Sequence, residues 1–299
     1  MDRQELTDPA VRLFRLVVLD IDGTLLDPTD VVRPAVREAI QACRELGVEV
    51  ALATGRRLRT TRPIVGELGI QLPLVLYNGA LVWDTEHEVP LAERPLDRAA
   101  LARTLHEAER EGLGALALRG PGSGERMVLV TDPLPRLPEF EQQLLPRSGD
   151  VDQLPVSEVL ALQDVLTIDL FGPERALRHA TARLARAGYA IYHHGPFEWL
   201  PALPRWVANV HAPGVSKASG VEVLARRLGL TLADVLAVGD GENDLPLLRA
   251  AGLGVAMGNA PEHVRAQADA VVRGHDEDGV VEALERFVLE PWRRVQAVA

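Results

Sequence analysis

The chain has 299 residues, of which 47% are hydrophobic and 25% are charged, as in an ordinary globular protein of about two domains. Its net charge of −11 argues against a nucleic-acid partner, because a phosphate backbone favours basic surfaces. No apolar run approaches the roughly 20 residues that a membrane span requires, and the N-terminus lacks a signal-peptide pattern. The single cysteine, Cys43, excludes an internal disulfide and fits a reducing compartment. We therefore expect a cytoplasmic protein without nucleic-acid or membrane partners, and its oligomeric state stays open.

Strands and helices alternate in the first part of the chain. A nearly continuous apolar run at 13–19 predicts a buried strand, and 33–46 has helical periodicity. A second buried strand follows at 48–53, then a helix that ends near 68, and a third strand at 74–76. This alternation predicts an α/β fold with a doubly wound, parallel, Rossmann-like sheet.

The pattern changes in the middle of the chain. Hairpin-like strands accompany helical segments at 97–111 and 173–187. The first pattern resumes after this stretch. We therefore expect a discontinuous core domain formed by 1–83 and 204–299, and an inserted α+β domain formed by 84–203.

Two carboxylates end the first predicted strand. Asp20 and Asp22 are separated by one residue and followed by Gly23. Ligands bind at the carboxyl ends of strands in such sheets. An aspartate there can attack phosphorus, and a second carboxyl can protonate the leaving oxygen and later activate water. The alternative is a polar turn held by aspartate side chains.

The second predicted strand ends in Thr54, Gly55 and Arg56. The threonine hydroxyl and the N–H groups of the following helix start could bind a phosphate. The alternative is that Thr54 simply caps the helix.

Two further segments carry chemistry-bearing residues. Lys217 is the only lysine among 32 basic residues, which could mark a site that needs a compact ammonium rather than a guanidinium, or could be a solvated side chain. The loop 239–244, Gly-Asp-Gly-Glu-Asn-Asp, suits a hard cation with oxygen ligands. Its alternatives are an acidic turn and a calcium loop, although it lacks the ligand spacing of an EF-hand.

The order of these segments resembles the haloacid dehalogenase-like phosphohydrolases. The resemblance rests on Asp-Ile-Asp-Gly-Thr at 20–24, Thr-Gly-Arg at 54–56, Lys217 and the loop 239–244. The long insertion resembles the large α+β cap of the subgroup often called Cof-type. Further similarity lies in three short stretches at 77–80, 214–217 and 256–260.

The resemblance implies roles for the matching residues. Asp20 would be the nucleophile and a Mg²⁺ ligand, and Asp22 the general acid and base, with its backbone carbonyl on the metal. Thr54 and Asn243 would hold the transferring phosphoryl group. Lys217 would bridge Asp20 and the phosphate.

The remaining implied residues bind the metal or support the phosphate site. Asp240 would ligate Mg²⁺, and Asp244 would support the waters of the metal or Lys217. Three further residues would line the phosphate site or support its ligands: Gly23, Gly55 and Asn78. Because a phosphate dianion is repelled by several aspartates, the positive charges of Mg²⁺ and Lys217 are needed for binding.

The implied activity is that of a Mg²⁺-dependent phosphatase. It would hydrolyse a small phosphorylated metabolite, such as a sugar phosphate, a nucleotide or a flavin phosphate, through an aspartyl-phosphate on Asp20. An acid at Asp22 also fits a sugar phosphomutase, and a non-catalytic phosphate-binding regulatory protein is a further alternative. No Gly-x-Gly-x-x-Gly follows the first strand, which argues against a dinucleotide oxidoreductase. In the inserted domain, His193 and His194 are candidates for substrate contact, although exposed loop histidines are commoner.

Overall fold

The computed structural model describes residues 13–135, 150–195 and 206–298. The described strands, in chain order, are β1 (Leu16–Leu19), β2 (Glu49–Leu52), β3 (Leu74–Leu76), β4 (Leu81–Asp84), β5 (Val89–Glu93), β6 (Gly114–Arg119), β7 (Met127–Val130), β8 (Val151–Leu154), β9 (Val165–Gly172), β10 (Ala190–His194), β11 (Trp206–His211), β12 (Val235–Gly239), β13 (Leu253–Ala256) and β14 (Ala270–Val271).

The described α-helices are α1 (Pro34–Glu45), α2 (Leu58–Leu68), α3 (Arg98–Glu111), α4 (Val156–Val159), α5 (Glu174–Arg186), α6 (Lys217–Arg227), α7 (Leu245–Ala250), α8 (Glu262–Arg265), α9 (Gly279–Leu284) and α10 (Glu290–Val298). A π-helical turn, Glu285–Leu289, joins the last two. Within these described residues, no helix is both long enough and apolar enough to cross a bilayer.

The chain divides into two compact units. The described residues of the first come from Met1–Arg56, Thr60–Leu91 and Ser216–Ala299, and those of the second from Arg57–Arg59 and Ala92–Val215. The sequence instead places the domain limits at 83/84 and 203/204, and the latter lies outside the described residues. The domain limits therefore stay a prediction.

The first unit is built on a parallel sheet of five strands in the order β14-β13-β12-β1-β2. Strand β1 pairs with β12 on one side and β2 on the other, so the carboxyl ends of these three strands lie side by side. Their residues are almost all buried, as expected when helices cover both faces of a parallel sheet. Beyond β2, a bridge between Ala53 and Val75 leads to a separate sheet of three strands, β3-β4-β5. The predicted α/β fold with a parallel core sheet is confirmed.

The second unit contains a six-stranded sheet in the order β10-β11-β9-β6-β7-β8. Its pairs are antiparallel except for β7 and β8, which are parallel. Side chains alternate across β9, so that Ile168 and Leu170 belong to the core, where residues of α3 and α5 pack, while Asp169 faces away from it. This mixture of helices and antiparallel strands is the α+β architecture expected for the insertion.

Candidate active site

The predicted site residues lie at the carboxyl ends of neighbouring strands. Asp20 directly follows β1, Asp240 directly follows β12, and Thr54 lies two residues beyond β2. Carboxylate oxygens of Asp20, Asp240 and Asp244 all lie within 4.8 Å of one another. The fold therefore brings Asp20 together with Asp240 and Asp244, which lie more than two hundred residues later in the sequence.

Lys217 is fully buried at the first position of α6. Its Nζ lies 2.7 Å from Oδ1 of Asp20 and 2.7 Å from Oδ1 of Asp244. Burial alone would lower the pKa of Lys217, but the charges of the two carboxylates raise it, so the side chain carries a firm positive charge. The alternative of a solvated lysine is therefore wrong. An ammonium at a helix start opposes the helix dipole, and the two aspartates offset that cost.

Asp244 organises the acidic loop after β12. One of its carboxylate oxygens accepts from Lys217, and the other accepts hydrogen bonds from the backbone N–H groups of Asp240, at 3.0 Å, and of Gly241, at 2.9 Å. Gly239 makes room for this turn, because a Cβ there would lie 2.3 Å from Cγ of Asp244. Asp244 is thus a support for Lys217 and for the loop that carries Asp240.

The side chain of Asp240 is contacted by residues of the loop that follows β1. The hydroxyl of Thr24 donates to its Oδ1 at 3.0 Å. Gly23 has φ of +73°, and a Cβ there would lie 2.2 Å from Oδ2 of Asp240, so only glycine leaves space for this carboxylate. The amide of Asn259 donates to the carbonyl of Gly23 at 2.9 Å and pins the turn.

The cluster carries more negative charge than its protein partners neutralise. Burial and the charge of Asp244 raise the pKa of Asp20 well above its usual range, despite the opposing effect of Lys217. The same two causes raise the pKa of Asp240 to about 7. Three carboxylates face one ammonium, which leaves an excess that one divalent cation would balance. Carboxylate oxygens are the ligands that hard cations prefer, so this donor set fits a divalent metal.

The predicted phosphate-binding residues form a second group beside the acids. Thr54 is fully buried, and its carbonyl accepts from the backbone N–H of Asn78 at 2.9 Å. The side chain of Asn78, whose φ is +54°, accepts from Nδ2 of Asn243 at 3.0 Å. A Cβ on Gly55 would lie 3.1 Å from Oδ1 of Asn78. The structure therefore brings Thr54, Gly55, Asn78 and Asn243 together.

The start of helix α2 differs from the expectation. The helix begins at Leu58, four positions after Thr54, so Thr54 is not its cap. The first backbone N–H groups, those of Leu58 and Arg59, donate to the carboxylate of Glu125 at 2.6 and 2.7 Å. Because a protein carboxylate already satisfies them, these two groups are not available to a phosphate.

Asp22 stands apart from the buried acids. Its side chain is 57% exposed and pairs with the guanidinium of Arg56, whose Nε lies 2.8 Å from Oδ2 of Asp22. Sequence reasoning assigned no role to Arg56, Thr24 or Asn259. All three stand inside the motif segments that carry the family resemblance, and this is the signal that could have drawn attention to them.

The two candidate histidines, His193 and His194, lie in strand β10 rather than in a loop. Nε2 of His193 lies 3.0 Å from the hydroxyl of Thr181, and Nε2 of His194 lies 2.6 Å from Oδ1 of Asn209. Asn209 in turn donates to Asp169 at 2.7 Å. Burial raises the pKa of Asp169 to about 6. His194 is therefore part of a polar network on the sheet face opposite the helices.

Comparisons with known proteins agree on one family. Residues 17–284 match the haloacid dehalogenase-like hydrolases. A 5-amino-6-(5-phospho-D-ribitylamino)uracil phosphatase of Bacillus subtilis is 28% identical over 279 residues, which cover 92% of this chain and 96% of that protein. A phosphoglycolate phosphatase of Methanopyrus kandleri is 29% identical over 275 residues, covering 92% and 97% of the two chains.

A solved structure extends the likeness to three dimensions. A haloacid dehalogenase-like hydrolase from Bacteroides thetaiotaomicron matches with a TM-score of 0.70 and 26% identity, covering 91% of this chain and 99% of that one. The family match spans most of the chain. In the first unit, Asp20, Thr54, Lys217 and Asp244 are buried at neighbouring positions, while Asp22 lies exposed beside them. The protein therefore belongs to the haloacid dehalogenase-like hydrolase family and is a phosphoric monoester hydrolase.

Proposed function

We propose that this protein is a Mg²⁺-dependent phosphatase that forms an aspartyl-phosphate on Asp20. The observation that carries the proposal is the buried contact of Lys217 with Asp20 and Asp244, at 2.7 Å each, beside Asp240. Such an array anchors one oxygen of the Asp20 carboxylate and surrounds it with charges suited to a transferring phosphoryl group.

In the first half of the reaction, an oxygen of Asp20 attacks phosphorus and the bond from phosphorus to the leaving oxygen breaks. Lys217 contacts Oδ1 of Asp20 at 2.7 Å and thereby restricts the rotation of the attacking carboxylate. Asp22 donates a proton to the leaving oxygen, so that the product departs as an alcohol. Thr54 and Asn243 donate hydrogen bonds to the phosphoryl oxygens.

In the second half, water attacks the phosphorus of the aspartyl-phosphate. Asp22 accepts a proton from that water, the bond between phosphorus and Asp20 breaks, and inorganic phosphate is released. Asp22 thus returns to its protonated form and Asp20 to its carboxylate. Because both halves use the same two carboxyl groups, loss of the Asp20 carboxylate would stop turnover, and loss of the Asp22 carboxyl would slow both halves without removing the covalent route.

We propose that Asp20, Asp240 and the backbone carbonyl of Asp22 bind the Mg²⁺. Mg²⁺ bound there would supply positive charge that offsets the repulsion between the phosphate dianion and the aspartates. The substrate class is a small phosphomonoester such as a sugar phosphate, a nucleotide or a flavin phosphate. The cytoplasmic location and the lack of nucleic-acid and membrane partners stay predictions.

The test is to trap the covalent intermediate. A panel of phosphomonoesters is first screened for phosphate release with Mg²⁺ and with chelator. The best substrate, radiolabelled in its phosphate, is then mixed with enzyme and quenched in acid. We expect protein-bound label that hydroxylamine removes, as for an acyl phosphate, and none in Asp20→Asn.

A matched control is Asp164→Asn, because Asp164 pairs with Arg119 in the second unit and lies outside the motifs. This variant should still be labelled. Phosphate release without any label on the wild type would contradict the covalent route. Isomerisation of a sugar phosphate without net release would replace hydrolysis by mutase chemistry, and phosphate binding without either would indicate a regulatory protein.

A further inference from the structure

Two nitrogens of the Arg56 guanidinium contact the carboxylate of Asp22. Nε lies 2.8 Å from Oδ2 and 3.1 Å from Oδ1, and Nη2 lies 2.5 Å from Oδ1. A guanidinium that meets a carboxylate in this forked way fixes the plane of the carboxylate as well as its distance. The contact with Arg56 therefore fixes the orientation of the Asp22 carboxylate, in addition to neutralising its charge.

The backbone on both sides of this contact is also fixed. The N–H of Arg56 donates to the hydroxyl of buried Thr54 at 3.1 Å, and its carbonyl accepts from Tyr77 at 3.2 Å. On the other side, Asp22 precedes Gly23, whose carbonyl is held by Asn259. The ion pair thus links two anchored loops at the carboxyl ends of β1 and β2.

We infer that Arg56 is a positioning residue for Asp22, which it holds in the orientation for proton exchange with the substrate. The inference rests on the proposed role of Asp22 as general acid and base. Without Arg56, a side chain as exposed as that of Asp22 would sample several rotamers, and only some of them reach the leaving oxygen.

A purely structural role is the less favoured explanation for this pair. The side chains are 25% and 57% exposed, and ion pairs in such surroundings contribute little to folding stability. A comparable pair lies in the second unit, where Arg126, directly before β7, makes a similar forked contact with Asp152 of β8. Arg126→Gln therefore removes a comparable ion pair without touching the motif residues.

The experiment compares leaving groups. An alkoxide needs a proton to depart, whereas para-nitrophenolate is a stable anion that departs without one. We expect Arg56→Gln to lower kcat/KM by about 10- to 100-fold for the best alkyl phosphate of the panel, and by less than about 3-fold for para-nitrophenyl phosphate. Arg56→Lys keeps the positive charge but cannot make the two-nitrogen contact. Its kcat/KM for the alkyl phosphate should therefore lie between those of Arg56→Gln and the wild type. Arg126→Gln should match the wild type on both substrates.

A double variant tests whether Arg56 acts through Asp22. In an Asp22→Asn background, Arg56→Gln should cause no further loss on the alkyl phosphate, because the carboxyl that it positions is gone. Far-UV circular dichroism and melting curves of each variant verify folding, and if Arg56→Gln does not fold, Arg56→Lys carries the comparison.

Several outcomes would overturn the inference. Equal losses on the two substrates, a change confined to KM, or a full further loss in the Asp22→Asn background would each show that Arg56 acts on the phosphate or on the fold. A wild type that releases no phosphate from any compound would instead overturn the proposed function, and the inference with it. An active wild type whose Arg56 variants show no preference between leaving groups overturns the inference alone.

Discussion

Removing the positive charge of Lys217 tests whether this ammonium stabilises the buried carboxylates of Asp20 and Asp244, as the short distances between them indicate. Two unit charges 2.7 Å apart attract each other by about 6 kcal/mol at an effective dielectric constant near 20, and Lys217 has two such partners. Lys217→Met keeps an unbranched side chain of similar length but leaves Asp20 and Asp244 buried without a cation. Breaking a buried ion pair in this way costs about 3–5 kcal/mol, which is the loss in unfolding free energy that we expect.

The assay is urea unfolding in chelator, followed both by tryptophan fluorescence and by far-UV circular dichroism. Coincident transitions would justify a single unfolding free energy. If the two units unfold separately, the change belongs to the transition of the unit that holds Lys217. Lys217→Met combined with Asp244→Asn should recover part of the loss, because one uncompensated charge is removed. A single variant within about 1 kcal/mol of the wild type would refute the reasoning.

Three further predictions concern other parts of the molecule. The pKa of Asp169 is raised to about 6, so its protonated form favours the folded state and this contribution is lost as pH rises through 6. Asp169→Asn should therefore gain stability relative to the wild type between pH 4 and 7, by at most about 3 kcal/mol, and parallel curves of melting temperature against pH would contradict this. Gly23→Ala should abolish most activity, because the added Cβ meets Oδ2 of Asp240 at 2.2 Å; an active variant with unchanged Mg²⁺ affinity would count against the tight turn. Mg²⁺ at 100 times its Kd should raise the unfolding free energy of the wild type by about 2.7 kcal/mol. The same Mg²⁺ concentration should stabilise Asp240→Asn far less. Equal stabilisation of both proteins would show that the metal binds elsewhere.

The core of the fold was predictable because its signals are local. The apolar runs that give β1, β2 and β3 are short, buried and followed by polar turns, and the structure places strands within each of them. The order of the six-stranded sheet was not predictable in the same way. Strand β9 lies between β6 and β11, and β8 runs parallel to β7, pairings that depend on contacts between distant segments.

The candidate site divides along a similar line. Lys217 and Asp244 could be placed near Asp20 from the sequence, because Asp20 and Asp244 follow predicted strands of one sheet and Lys217 begins a predicted helix at the same edge of that sheet. The forked contact of Arg56 with Asp22 could not, since it depends on how two loops direct their side chains. The expected availability of the α2 start to phosphate failed for a related reason, because the competing carboxylate of Glu125 comes from a distant part of the chain.

The burial of Lys217 has a practical consequence for chemical labelling. Lys217 is the only lysine of the sequence, so its ε-amine is the only side-chain amine that acylating or alkylating reagents could modify. In the folded protein this amine is fully buried and paired with two carboxylates, and it must leave both before it can react. Modification of Lys217 under native conditions would therefore proceed only through local opening, and its rate would report how often the ion pairs of Lys217 with Asp20 and Asp244 break.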